Sequence, residues 1–198
     1  MPRPRRVQDT YFHRAKAEGF LARSAFKLIE IDEKFHILNG ARRIIDLGCA
    51  PGSWLQVVTQ RTGPGARILG IDLKRVEHAM PPGVTTLVGD VTRLDLCSLP
   101  VEPPFDVVLS DMAPNTSGSG DDLVSASLCR DVLAVTPILL RPGGSLVMKI
   151  LEGGETPGVV QETRALFTAV KLFKPQSSRE VSRETFIVAK GMKAGVRA

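Results

Sequence analysis

Cysteine is scarce in this chain. Its 198 residues hold three, Cys49, Cys97 and Cys129, scattered and never in a C-x-x-C pair. That spacing argues against a disulfide framework and a zinc site, and it fits a reducing compartment. No run is long and apolar enough to cross a membrane. No apolar segment follows Met1-Pro2-Arg3-Pro4-Arg5-Arg6, so the N-terminus does not read as a secretory signal. Its basic character leaves an organelle-targeting role open. The G-x-G-x-x-G turn of dinucleotide-binding folds is missing, and so are internal repeats. No cluster of His, Cys, Asp or Glu has metal-ligand spacing, so no metal is expected. What remains is a chain of ordinary apolar content, 43%, long enough for one domain with its own core.

Charge is unevenly spread. The net is +5, but residues 1–27 alone carry +5 and residues 164–198 carry +6, leaving the middle at −6. Basic ends around an acidic centre suit a cationic small molecule held between surfaces for a polyanion. Solvated terminal helices give the same statistics.

The order of elements reads as α/β. A helical pattern runs from Asp9 to about Phe35, broken at Gly19. Strands are expected at Ile44–Leu47, Ala66–Asp72, Val84–Gly89, Phe105–Ser110 and Ser145–Ile150. Helices are expected at Trp54–Gln60, Leu123–Leu140 and Thr156–Ala169, with Arg141–Gly144 as a stop. Val170–Lys174 and Thr185–Lys190 lie too close together for a helix between them, so they form a hairpin. The prediction is a doubly wound, mostly parallel seven-stranded sheet with a terminal antiparallel hairpin, the Rossmann-like architecture of class I methyltransferases. Residues 1–198 form one domain, with a basic helical extension over about 1–40. The loops Pro114–Asp122 and Glu152–Gly158 follow strand ends on the ligand-binding edge, where they serve either as lids or as plain surface loops.

Asp46-Leu47-Gly48-Cys49-Ala50-Pro51-Gly52-Ser53-Trp54 organises the rest. An apolar strand enters it and a helix leaves it. Its glycines let the backbone approach a ligand, and the helix start offers free N–H groups. Its form is D-x-G-x-x-x-G. A carboxylate at Asp46 would repel a pyrophosphate but suits a cation such as S-adenosylmethionine, with its ammonium and sulfonium. Asp72 ends the second strand and suits ribose hydroxyls; Asp90 ends the third and suits an adenine amino group. Either acid also serves as a helix cap. Trp54 packs beside the ligand or in the core. Asp111-Met112-Ala113-Pro114-Asn115 is similar to the N/D-P-P-Y/F of base-amino methyltransferases. It lacks the second proline and the aromatic, which argues against a flipped base. Lys149 interrupts the apolar strand Leu146–Ile150. Burial there would lower its pKa and make it a possible base; a strand-end lysine also snorkels to water.

Several segments together carry a resemblance. They are Ser24-Ala25-Phe26-Lys27-Leu28, the glycine turn through Gln56, Ser110–Asn115, Val147-Met148-Lys149 and Ser182-Arg183-Glu184. With them the chain resembles the FtsJ/RrmJ-type ribosomal RNA ribose 2′-O-methyltransferases across nearly its whole length. The resemblance implies S-adenosylmethionine as cofactor, contacted by Gly52, Trp54, Asp72, Asp90 and Asp111. It also implies a catalytic tetrad of Lys27, Asp111, Lys149 and Glu184. The implied reaction is methylation of a ribose 2′-hydroxyl, for which a uridine of large-subunit (23S-type) RNA is the expected target. The implied partner is ribosomal RNA or the large ribosomal subunit. The protein is expected to be a cytoplasmic monomer, with the mitochondrial matrix left open. Arg14, Lys16, Arg23, Arg179 and Arg183 are expected to grip phosphates. Methylation of tRNA ribose, of a base or of a small molecule stays open, as does a non-catalytic RNA-binding role.

Overall fold

The computed structural model describes residues 6–93, 95, 98–114, 120–179 and 181–195, with side chains from residue 10 onward. Cys97, Asn115 and most of the expected lid at Pro114–Asp122 lie outside them. Among the described residues, helices α1 (Arg6–Ala17) and α2 (Ala25–Phe35) precede β1 (Arg43–Leu47) and α3 (Ser53–Arg61). Then come β2 (Arg67–Asp72), β3 (Val84–Val88), a 3-10 turn at Val91–Arg93, and β4 (Phe105–Ser110). The chain closes with α4 (Asp121–Leu139), β5 (Leu140–Leu151), α5 (Thr156–Leu166), β6 (Phe167–Phe173) and β7 (Glu184–Met192).

The seven strands form one sheet in the order β3-β2-β1-β4-β5-β7-β6. The first five are parallel, and β7 runs antiparallel to both β5 and β6. This is the expected doubly wound sheet with its terminal hairpin. Both faces are covered, so the central strands are apolar on both sides. Ile44, Val107, Leu109 and Val147 meet α2 and α3 on one face, while Ile45, Leu47, Val108 and Leu146 meet α4 and α5 on the other. From β1 the chain moves outward to β2 and later returns to the opposite side as β4. That reversal opens a crevice at the carboxyl ends of β1 and β4, where such sheets take ligands.

Two boundaries in the C-terminal half differ from expectation by three residues or more. α5 stops at Leu166 and β6 begins at Phe167, not Val170. Phe167 pairs with Met192 of β7 and is buried in the core, a partner that local periodicity cannot see. β5 begins at Leu140, and the stretch before Ser145 is absorbed where the β4–β5 register shifts between Phe105 and Val107. The Glu152–Gly158 loop is pinned and does not hang free as a lid. Glu152 accepts a hydrogen bond from Thr185 Oγ1 at 2.6 Å, its N–H donates to the Arg183 carbonyl at 2.8 Å, and α5 starts already at Thr156.

The basic ends meet. The Glu30 carboxylate of α2 accepts from the N–H groups of Gln176 at 2.6 Å and Ser177 at 2.9 Å. Lys190 donates to the Phe35 carbonyl at 3.0 Å, and Lys34 lies 4.5 Å from the Phe173 ring centre. α2 is thus docked on the β6–β7 hairpin, which brings Lys27 to Glu184.

Candidate active site

A cleft of about 300 Å³ opens at the carboxyl edge. Gly48 and Ala50 of the glycine turn, Asp72 and Lys74 after β2, Asp90 after β3, and Asp111 and Met112 after β4 line it, together with Leu128 and Asp131 of α4. Gly48 is held at φ +81°, and a Cβ there would stand 2.5 Å from Met112 Cγ, so both conformation and space demand glycine. The N–H groups of Gly48 and Cys49 both donate to the Ile71 carbonyl, at 2.7 and 3.2 Å, fixing the turn to β2.

Each acid of the cleft is set differently. Asp72 accepts the Ala50 N–H at 2.9 Å through one oxygen and the Lys74 N–H at 2.8 Å through the other. It is locked in place, and each oxygen keeps a lone pair for the cleft. Asp90 caps the 3-10 turn: its Oδ1 accepts from the Thr92 hydroxyl at 2.7 Å and N–H at 2.9 Å, which holds its pKa below the usual carboxylate range. The capping role and the cleft position coexist.

Asp46 is fully buried, and among the described residues neither carboxyl oxygen has a hydrogen-bond partner. Burial first, then the charges of Asp111 and Asp72, push its pKa well above the usual range. A folded-state pKa raised above the unfolded one makes Asp46 favour folding at acid pH. That contribution is lost as pH rises through the folded value. Asp46→Asn is therefore expected to melt at least as high as the parent at neutral pH in the absence of ligand, with the advantage shrinking toward acid pH. Thermal melts across that range check it, and a lower melting temperature at neutral pH would contradict it.

The four tetrad positions come together as two ion pairs. Lys149 Nζ lies 3.0 Å from Asp111 Oδ1 and donates to the Asp111 carbonyl at 2.7 Å. Its side chain is 5% exposed, so it does not snorkel. Lys27 Nζ donates to Glu184 Oε2 at 2.9 Å. Burial opposes the charge on Glu184, but Lys27, with a smaller contribution from Lys149, outweighs it and holds the pKa below the usual range. Asp111 is the hinge of the site, since it touches Lys149 and also lines the cleft. A buried lysine between two oxygens, next to a cleft of acids, can hold a developing oxyanion as the ammonium, and can accept a proton only once it has lost its own.

Gly52 and Trp54 do not line the cleft. The Trp54 indole is buried, donates to the Ser24 carbonyl at 2.9 Å and lies 5.8 Å from the Phe186 ring centre. Its indole packs in the core, and only its backbone at the start of α3 faces the turn. A Cβ on Gly52 would stand 3.0 Å from Met80 Cε, so the β2–β3 connection covers that glycine. Cys49 and Cys129 are poorly suited as nucleophiles: burial raises the pKa of Cys49 and pushes that of Cys129 up to about 12.

A family model described as FtsJ-like methyltransferase matches residues 20–192. The chain belongs to the FtsJ-like methyltransferases. "Ribosomal RNA large subunit methyltransferase E" of Syntrophobacter fumaroxidans is 47% identical over 186 residues, covering 92% of this chain and 94% of that protein. The protein of the same name from Oleidesulfovibrio alaskensis is 44% identical, covering 96% of this chain and 94% of its own. A crystal structure of a Plasmodium falciparum protein, assigned as a ribosomal RNA methyltransferase, superimposes with TM-score 0.75 at 28% identity. It covers 87% of this chain and 98% of that one.

In this FtsJ-like methyltransferase the expected phosphate-gripping residues divide. Burial and the nearby charge of Arg179 lower the pKa of Arg23, while Glu184 acts the other way, so Arg23 and Arg179 converge beside the tetrad. Arg183 stands 3.7 Å from Asp122 at the start of α4. Arg14 pairs with Glu18 at 2.7 Å and lies over Phe26, 4.5 Å from the ring centre. Among the described residues no helix is long and apolar enough to cross a membrane, and no group of three potential ligands could hold a metal. Sequence reasoning missed Leu128 and Asp131. Their signal was the i, i+3 spacing that puts both on one face of α4, but nothing local says that this face looks into the crevice.

Proposed function

We propose that this enzyme transfers the methyl group of S-adenosylmethionine to a ribose 2′-hydroxyl of large-subunit ribosomal RNA, at a uridine. The observation that carries the reading is the buried Lys149–Asp111 pair standing at the edge of an acid-lined cleft.

The cofactor fits the residues present. Asp72, Asp90 and Asp111 line the cleft, and among the described residues Asp111 Oδ1 is buried with no aligned hydrogen bond, while Asp46 stands buried behind the glycine turn. Such a set suits a ligand with two cationic centres. Asp72 would hold the ribose and Asp90 the adenine amino group, with the turn of Gly48 and the α3 N-terminus beyond Gly52 and Trp54 closing around the rest. When bound, S-adenosylmethionine supplies an electrophilic methyl on a sulfonium.

Everything else falls to the chain. Lys149 takes the proton of the 2′-hydroxyl as the free amine, after its own proton has passed to solvent, or as the ammonium holds the oxygen as charge develops. Asp111 orients the Lys149 amine through both its carboxylate and its carbonyl. Lys27 adds positive charge behind the reacting oxygen, and Glu184 fixes Lys27. The basic ends, with Arg23 and Arg179 beside Glu184, hold phosphates on either side of the target. Phosphate contacts give position but no sequence, so selection would come from RNA shape. In this reading residues 1–198 act as one domain, whose basic first forty residues form part of the RNA-facing side.

Large subunits from cells lacking this methylation, incubated with labelled S-adenosylmethionine and digested to nucleosides, are expected to yield 2′-O-methyluridine by mass spectrometry. Label on a base, or none, would overturn the proposal.

A further inference from the structure

Residues 18–24, between α1 and α2, have no helix or strand of their own. This connection nevertheless carries Arg23, and Lys27 follows it in the first turn of α2. Side chains of α3 hold it in place. Gln56 bridges its middle: Oε1 accepts the Leu21 N–H at 2.9 Å, and Nε2 donates to the Gly19 carbonyl at 3.0 Å. Ser53 meets its last residue, with Oγ 2.8 Å from Ser24 Oγ. The Trp54 indole N–H donates to the Ser24 carbonyl at 2.9 Å, and the same carbonyl accepts the Lys27 N–H at 3.1 Å.

Ser24 stands at the N-cap of α2, where a serine hydroxyl ordinarily accepts an N–H of the first turn. It makes no such bond, and its hydroxyl meets Ser53. A local stabilisation is given up for a link to another helix, and departures of this kind concentrate at functional sites. Ser53 and Gln56 are three residues apart, on one face of α3. α3 starts where the glycine turn ends, so the element that follows the cofactor turn also fixes the segment leading to Lys27.

We propose that Ser53 and Gln56 are positioning residues for methyl transfer. By fixing residues 19–24 they set Lys27 against Glu184 and Arg23 beside Arg179. The link to the chemistry is short. Lys27 Nζ is held 2.9 Å from Glu184 Oε2, and its own N–H shares the Ser24 carbonyl with Trp54. A shift at Ser24 therefore moves the start of α2 and the ammonium behind the reacting oxygen. A misplacement of about 1 Å, made away from the reacting atoms, can slow an enzyme about 100-fold. The inference rests on the ribose-methylation reading.

The test compares the parent with Ser24→Ala, Ser53→Ala, the double serine variant and Gln56→Ala, on large subunits lacking the methylation. Assays run below the melting transition of every variant. Single-turnover rates are taken with both substrates saturating, and S-adenosylmethionine affinity is taken by calorimetry. Each single variant is expected to slow transfer about 5- to 50-fold, with cofactor affinity close to that of the parent. The double serine variant is expected to lose no more than the slower of its two single variants, because either alanine already breaks the bridge. A merely structural tie would lower the melting temperature and leave the rate of the folded enzyme unchanged. Parent-like rates in the folded variants would therefore overturn the proposal. So would equal losses in cofactor affinity and rate, or serine losses that multiply in the double variant. If Gln56→Ala does not fold, Ser53→Ala, which removes a hydroxyl and nothing else, decides. A parent that binds the subunits and transfers no methyl to ribose would overturn the ribose-methylation reading, and this inference with it.

Discussion

Lys149→Ala lowers turnover by about 10²–10⁴-fold, the range for removing a positioned acid–base group. Binding of S-adenosylmethionine stays close to that of the parent, because Lys149 meets Asp111 and lies outside the cleft lining. A loss in kcat without a loss in cofactor affinity is the mark of a group used in the transition state. Removal of Lys149 also leaves Asp111 without its ion-pair partner, so some loss of thermal stability accompanies the change. Lys149→Arg separates two roles. Guanidinium stays protonated, so it can hold an oxyanion but cannot take the proton. An inactive arginine variant marks Lys149 as the base, and an active one assigns it to charge stabilisation alone. Single-turnover rates together with calorimetry check this. Equal losses in affinity and turnover would make Lys149 a structural residue.

Asp72→Ala weakens S-adenosylmethionine binding by about 5- to 150-fold, which corresponds to roughly 1–3 kcal/mol for a lost buried acceptor. Two effects add. The acceptor for ribose hydroxyls disappears, and the N–H groups of Ala50 and Lys74 lose the oxygens that fix the turn. Asp72→Asn keeps one acceptor oxygen, so its loss is smaller. Calorimetry showing parent-like affinity in the alanine variant would contradict the assignment of Asp72.

The features legible in the sequence are those that local chemistry forces. Ile44, Ile45 and Leu47 are apolar because both faces of β1 are buried, and Gly48 is glycine because φ +81° and Met112 leave no choice. The alternation of strands and helices then leaves few topologies, so the doubly wound sheet with its terminal hairpin followed. Lys27 and Glu184 are 157 positions apart, and only the family resemblance could join them; α2 docking on the hairpin does so physically. Side-chain direction was not legible. Trp54 faces the Ser24 carbonyl and Phe186 because the α3 register, set by the whole sheet, turns it there. Asp131 was invisible for the same reason. An exposed-looking acid in a long helix becomes a cleft residue only once α4 packs beside the 3-10 turn. The lone carboxyl of Asp46 could be read as suited to a cation, but its lack of a hydrogen-bond partner among the described residues is a property of the packed sheet.

The central claim is that the acceptor is a ribose oxygen. An RNA substrate carrying a single 2′-deoxy substitution at the methylated nucleotide, in an otherwise unchanged large-subunit context, tests it most directly. Transfer of labelled methyl should disappear while binding of the RNA persists, since the phosphates and the base are untouched. Methylation of the deoxy substrate at the parent rate would place the acceptor on the base and refute the role given to Lys149.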